Sequence, residues 1–256
     1  MVGILFIFIV LFGIYAVVST RRKKPSQFPK PWHNILLQHV IFYKGLKPNE
    51  QQRFQNRMML FLSEVYVEAV GFQLEDLDKI LVAASAVIPV FYFPEWHYNN
   101  LSTVLIYPDH FNEDFGYKQT EKKRQIAGVV GSGRLKNQMI LSRKALYEGF
   151  DSKRDNFNTG IHEFIHLIDN SDGITDGVPE ALIQHPYVIP WLKTIHKEME
   201  AINNNTSDIR NYGGTNEAEF LAVASEYFFE QPERMKVKHP DLYEMLKMCF
   251  HTKEIS

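Results

Sequence analysis

Apolar and polar residues alternate with different periods in successive parts of the chain. Residues 1–20 are apolar without interruption by charge, from Val2-Gly3-Ile4-Leu5-Phe6 to Val18-Ser19-Thr20. Wound as a helix they reach roughly 28 Å at about 1.5 Å per residue, close to a hydrocarbon core of ~30 Å. The pattern predicts one N-terminal transmembrane helix over 1–20. Residues 21–46 follow with Pro25, Pro29 and Pro31 among basic and aromatic residues, and predict an irregular linker. From Pro48 the period becomes helical, with Phe54, Met58, Phe61 and Val65 on one stripe. A second helix is expected from Glu75 to about Val87, stopped by Pro89.

Short runs rich in β-branched and aromatic residues then predict strands at Val90–Phe93, Thr103–Tyr107, Ala127–Val130 and Gln138–Ser142. The polar stretch 109–125 reads as loop, and Gly131-Ser132-Gly133 as a hairpin turn. That glycine cluster lacks the spacing and the following Lys-Ser/Thr of a phosphate loop. From about Asn158 onward the chain reads as several helices. The last places Leu242, Met245, Leu246 and Cys249 on one stripe, which makes Cys249 an inert core residue. The expected fold class is α+β, a mainly helical domain over 47–256 with a small sheet, behind the membrane helix and linker.

Charge sharpens this picture. The chain holds 28 Lys and Arg against 30 Asp and Glu. Arg21, Arg22, Lys23 and Lys24 account for four of the basic residues, so the rest of the chain has 24 basic against 30 acidic. An acidic body without a basic stripe argues against direct binding of nucleic acid. The basic cluster follows the apolar run rather than preceding it, unlike the arrangement in a cleaved signal peptide. By the positive-inside rule the chain is a single-pass membrane protein with its body on the cytoplasmic side. One cysteine, Cys249, excludes an intramolecular disulfide and a thiolate-only zinc site.

Candidate chemistry lies in Gly160-Ile161-His162-Glu163-Phe164-Ile165-His166-Leu167-Ile168-Asp169, a His-Glu-x-x-His pattern on an amphipathic helix. Ile161, Phe164, Ile165 and Ile168 make one side apolar, so the helix can pack into a core. Residues four apart lie one above the other, so both imidazoles can reach one metal ion. Zinc suits neutral imidazole, and catalytic sites pair three protein ligands with water. Glu163 then stands where it can take a proton from the attacking water. Two solvated histidines on a surface helix are the bland alternative, which the apolar surroundings disfavour.

The third ligand must come from elsewhere, because no further histidine follows in Leu167–Gly173. Tyr212-Gly213-Gly214-Thr215-Asn216-Glu217-Ala218-Glu219-Phe220 through Glu226 is the best segment. Glu219 and Glu226 share one helix face, and spacing leaves both open. Asn216 and Glu219 also have capping-box spacing, which would reduce Glu219 to a helix-start residue. Asp169 can orient a ligand imidazole through its free N–H or sit exposed at the helix end. Gln138–Ser142 can be the sheet edge that holds a peptide through main-chain hydrogen bonds.

His162 to Asp169, followed by Asp172-Gly173 and Asp176-Gly177-Val178-Pro179, resembles the Mlc titration factor A family of zinc peptidases. Tyr212…Asn216-Glu217-Ala218-Glu219-Phe220 also resembles the catalytic domain of the lethal-factor toxin, a related gluzincin-type fold. The resemblance covers roughly residues 50–250. It implies a gluzincin-like domain with one zinc held by His162, His166 and Glu219, with Glu163 as the water-activating residue. It also implies that Tyr212 hydrogen-bonds the developing oxyanion, and that Ala222–Phe229, Glu226 included, either supports the ligand residues from behind or packs in the core. The implied reaction is peptide-bond hydrolysis, on short peptides or N-terminal residues as in an aminopeptidase, with a peptide or protein as substrate. Members of that type are soluble and cytoplasmic and bind a transcriptional repressor of sugar-uptake genes, whereas this chain carries an apparent anchor. A rival expectation is therefore a membrane-tethered regulatory protein that binds a transcriptional regulator or other partner with little or no catalysis.

Overall fold

A computed structural model describes residues 24–110, 127–131, 136–151, 156–183 and 185–251. Among these, helices predominate around one small sheet, an α+β arrangement. The expected membrane helix over 1–20 lies outside the described residues, and among the described ones no helix is long and apolar enough to cross a membrane.

The chain opens with α1 (Lys30–His39) and α2 (Ile41–Gly45), which correct the linker expected over 21–46. Pro29 precedes the first helical residue and Pro31 lies in the first turn, where a missing N–H costs little. Trp32 and Leu36 sit one turn apart and are buried, as are Val40 and Tyr43. The Trp32 indole donates to Asp76 at 2.9 Å, tying α1 to a later helix. These residues belong to the core.

α3 (Pro48–Glu64) buries Phe54, Met58 and Phe61, as the helical period predicted. It leads into β1 (Tyr66–Ala69), a strand the sequence reading missed because only four residues alternate between exposed and half-buried positions. α4 (Asp76–Val87) is buried along its whole length from Ile80 to Val87. The strand expected at Val90–Phe93 is a series of turns instead. Pro89 and Pro94 bracket those four residues and leave no room for a ladder. Their hydrophobicity is satisfied by an aromatic cluster, in which Phe91 meets Phe42 and Phe54 and carries Arg53 over its ring at 4.3 Å.

The sheet contains β2 (Thr103–Tyr107), β3 (Gly128–Val130) and β4 (Gln138–Ser142) with β1, in the order β1-β2-β4-β3. β1, β2 and β4 run parallel, and β3 pairs antiparallel to β4 with Val129 opposite Ile140. Among the described residues β3 is therefore an edge. β4 is covered on both sides, which corrects the expectation that Gln138–Ser142 forms the free edge.

α5 (Arg143–Gly149) leads to α6 (Thr159–Asp169), in which every residue except His166 is buried. Then come α7 (Val188–Asn203), α8 (Glu217–Glu230), α9 (Pro232–Lys238) and α10 (Pro240–Phe250). α8 packs against α6, and α4 closes over the other side of α6. Cys249 is buried on α10, and burial pushes its thiol pKa up.

Candidate metal centre

Asn158 starts α6 by accepting the Ile161 N–H at 3.0 Å, a side-chain cap on the helix that carries His162, Glu163 and His166. One turn separates the two imidazoles, and their Nε2 atoms lie 3.1 Å apart. α8 supplies the third group. Asn216 caps it by accepting the Glu219 N–H at 2.9 Å, which places Glu219 in the first turn. The Glu219 carboxylate reaches both imidazoles, with Oε2 at 3.1 Å from His162 Nε2 and 3.5 Å from His166 Nε2.

This donor triangle fits a metal ion. Zinc bonds of about 2.0–2.2 Å in a tetrahedron set ligand atoms about 3.3 Å apart, and the three edges here are 3.1, 3.1 and 3.5 Å. Among the described residues, these three form the one group of His, Cys, Asp or Glu side chains close enough to share an ion. Their electrostatics point the same way. Burial opposes charge on His162, but Glu219 and Glu226 on opposite sides of the ring push its pKa up to about 10. Glu219 is partly desolvated, yet the two histidines hold its carboxyl well below the usual range. The pocket therefore favours a cation among these groups.

Glu226 is fully buried behind His162. Its Oε1 lies 2.7 Å from His162 Nδ1, and its Oε2 accepts the Asn158 N–H at 2.5 Å. Arg210 completes its shell by donating to Oε1. The seven-residue spacing of Glu219 and Glu226 thus places one carboxylate at each nitrogen of a single imidazole. A carboxylate on Nδ1 leaves the lone pair on Nε2, the nitrogen that faces Glu219 and His166. Asn158 also donates to Glu230 at 3.0 Å; burial raises that carboxyl to about 7, with the nearby Glu226 charge adding to the shift.

A cleft of about 800 Å³ opens over the triangle. Glu163 lies against its wall, 6% exposed, with its pKa raised by burial and lowered again by the neighbouring histidines. Edge strand β3 forms that wall. A Cβ on Gly128 would come within 2.7 Å of Glu163 Cγ and Oε1, so only glycine lets the strand approach this closely. Tyr212 stands in a 3-10 turn, Asn211–Gly214, with its ring centroid 6.0 Å from that of His162. It is half exposed to the cleft, as is Phe157, on which the Arg210 guanidinium stacks at 4.7 Å.

The structure therefore gathers all five predicted site residues, His162, Glu163, His166, Tyr212 and Glu219, around one cleft. Asp169, left open between orienting and exposed roles, is 1% exposed; burial raises its carboxyl to about 6 against the Gly177 N–H. Arg210, Gly128 and Phe157 escaped the sequence reading. None belongs to a spaced motif, and each matters through distant partners.

A sequence model of the family described as glucose-regulated metallo-peptidase M90 matches residues 17–251. The chain belongs to this metallopeptidase family. Among M90-type relatives, Mlc titration factor A of Escherichia fergusonii is 31% identical over 232 residues, covering 84% of this chain and 83% of that protein. Mlc titration factor A of Cronobacter sakazakii is 30% identical over 234 residues with the same coverage. The uncharacterized protein slr2042 of Synechocystis sp. is 30% identical over 261 residues, 94% of each chain. The match spans α1 and α2 as well as both helices that carry the donor triangle. It implies a bound metal, typically zinc, and the donor triangle suits one.

Proposed function

We propose that this M90 protein hydrolyses peptide bonds, with one zinc held by His162, His166 and Glu219. The donor triangle beside a buried glutamate in an open cleft carries the proposal. When bound, the metal supplies Lewis acidity, which makes water a nucleophile near neutral pH and polarises a carbonyl. The chain's own residues do the rest. Glu163 takes the proton of the attacking water and passes it to the leaving amine; its raised pKa suits both directions of transfer. Tyr212 donates its phenolic O–H to the oxygen that gains charge. Edge strand β3 offers main-chain groups, unpaired on its outer side among the described residues, to an extended peptide beside Glu163. Short peptides or N-terminal residues are the proposed substrates, and residues 1–20 are proposed to anchor the body to the cytoplasmic side of a membrane.

Glu163→Gln keeps the shape of the side chain and removes the base. Peptide turnover is expected to fall about 10²–10⁴-fold with zinc content unchanged, measured by hydrolysis of unblocked and N-acetylated peptides alongside elemental analysis. Turnover that survives the substitution sinks the proposed mechanism. Loss of cleavage on N-acetylation marks an aminopeptidase, and its persistence an endopeptidase. The name carried by two relatives, Mlc titration factor A, favours a second role in which the chain binds a regulatory protein. Partner capture that persists in Glu163→Gln would separate that role from catalysis.

A further inference from the structure

Two buried polar atoms beside the donor triangle have no hydrogen-bond partner among the described residues: Nδ1 of His166 and Oδ1 of Asp169. Their residues are three apart on α6 and so are neighbours on the helix surface. Only one side of this pair is anchored. Asp169 Oδ2 accepts the Gly177 N–H at 2.9 Å. Gly177 has φ +78°, and a Cβ there would collide with the Glu217 carbonyl group at the start of α8. The Gly177 carbonyl in turn accepts the indole N–H of buried Trp191, on α7, at 2.7 Å. The backbone of one glycine thus joins the last residue of the histidine helix to the core, and lies close against the first turn of the Glu219 helix.

A neutral imidazole that offers Nε2 to a metal carries its proton on Nδ1, and a buried N–H needs an acceptor. On His162 that acceptor is Glu226, at 2.7 Å. On His166 the unpartnered carboxylate oxygen nearest in sequence is Asp169 Oδ1. We propose that Asp169 is the positioning residue for His166. Its Oδ1 accepts a hydrogen bond from Nδ1–H through one water, and the Gly177 N–H, donated to Oδ2, aims that carboxylate. Each ligand histidine then has its own buried carboxylate, Glu226 from α8 and Asp169 from α6. The inference rests on the metallopeptidase reading and adds a residue to it.

The test uses the full-length chain with zinc, its Asp169→Asn and Asp169→Leu variants, long-range ¹H–¹⁵N spectra of the histidine rings, and zinc affinity by chelator competition. The zinc-loaded parent should show His166 protonated at Nδ1. Asp169→Leu should bind zinc about 10–100-fold more weakly, and Asp169→Asn, which retains an acceptor oxygen, should recover part of the loss. A parent with His166 protonated at Nε2 overturns the proposal without recourse to any variant. Folded Asp169→Leu that binds zinc as tightly as the parent overturns it while leaving the metallopeptidase reading intact. A parent that binds no zinc overturns both.

Discussion

His162 lies between two carboxylates, and its titration follows from that placement. With its metal-free pKa near 10, above the ordinary 6.5, it carries a proton at neutral pH that a metal must displace. Zinc affinity should therefore rise with pH through the neutral range, as isothermal titration at pH 6, 7 and 8 would register. The linked stability has a definite sign. A folded-state pKa raised above the unfolded value contributes stability in full below about 6.5, and that contribution disappears as pH rises through 10. Chelator-treated protein should accordingly lose melting temperature between pH 7 and 10, and zinc-loaded protein should not show this loss. Glu226→Ala leaves Arg210 without its carboxylate and His162 Nδ1 without its acceptor. A 10–100-fold loss of zinc affinity is expected, larger than for substitution of an exposed glutamate such as Glu233. At this scale much was visible beforehand. His162, Glu163 and His166 follow from helical periodicity, because four residues return nearly to the same face. Glu226 was expected either to support the ligands or to pack, and that it meets His162 Nδ1 depends on α6 packing against α8.

Among the elements, β3 and α6 show why the edge of the sheet matters. Gly128 lets the strand lie directly on Glu163. Gly128→Ala inserts a methyl group where Glu163 Cγ and Oε1 now stand, so the carboxylate must turn from its place in the cleft. Peptide turnover should fall at least tenfold while zinc content and melting temperature stay near those of the parent; equal loss of all three would assign Gly128 to folding alone. Strand order decided this feature. The segments β3 and β4 were legible from their β-branched residues, but only pairing shows that β4 is flanked by β2 and β3 and that β3 is an edge among the described residues. Helices were easier to read than strands for a physical reason. α3 and α4 keep their hydrophobic period over 12 or more residues, whereas β1 offers four residues and Val90–Phe93 mimics a strand by composition.

Over the whole molecule, the proposed anchor and the core overlap less than the proline-rich lead-in suggests. α1, α2 and the residue between them contribute Trp32, Leu36, Val40 and Tyr43 to the main hydrophobic core. A chain beginning at Pro25 should therefore remain folded and leave the membrane fraction, as thermal melting and fractionation would check. One beginning at Lys47 should be strongly destabilised, because burying each such side chain contributes about 1.5–3 kcal/mol. Membrane release of neither form would remove the case for an anchor at residues 1–20.

The sequence by itself determined the helix that carries His162, Glu163 and His166, the α+β class and the family, because periodicity and motif spacing are local properties of a chain. Tertiary structure decided the rest: which carboxylate faces Nε2 and which supports Nδ1, which strand is the edge, and that the lead-in is core. Each of these depends on contacts between residues dozens of positions apart, such as Asn158 with Glu226 or Trp32 with Asp76, and no pattern within one segment encodes them.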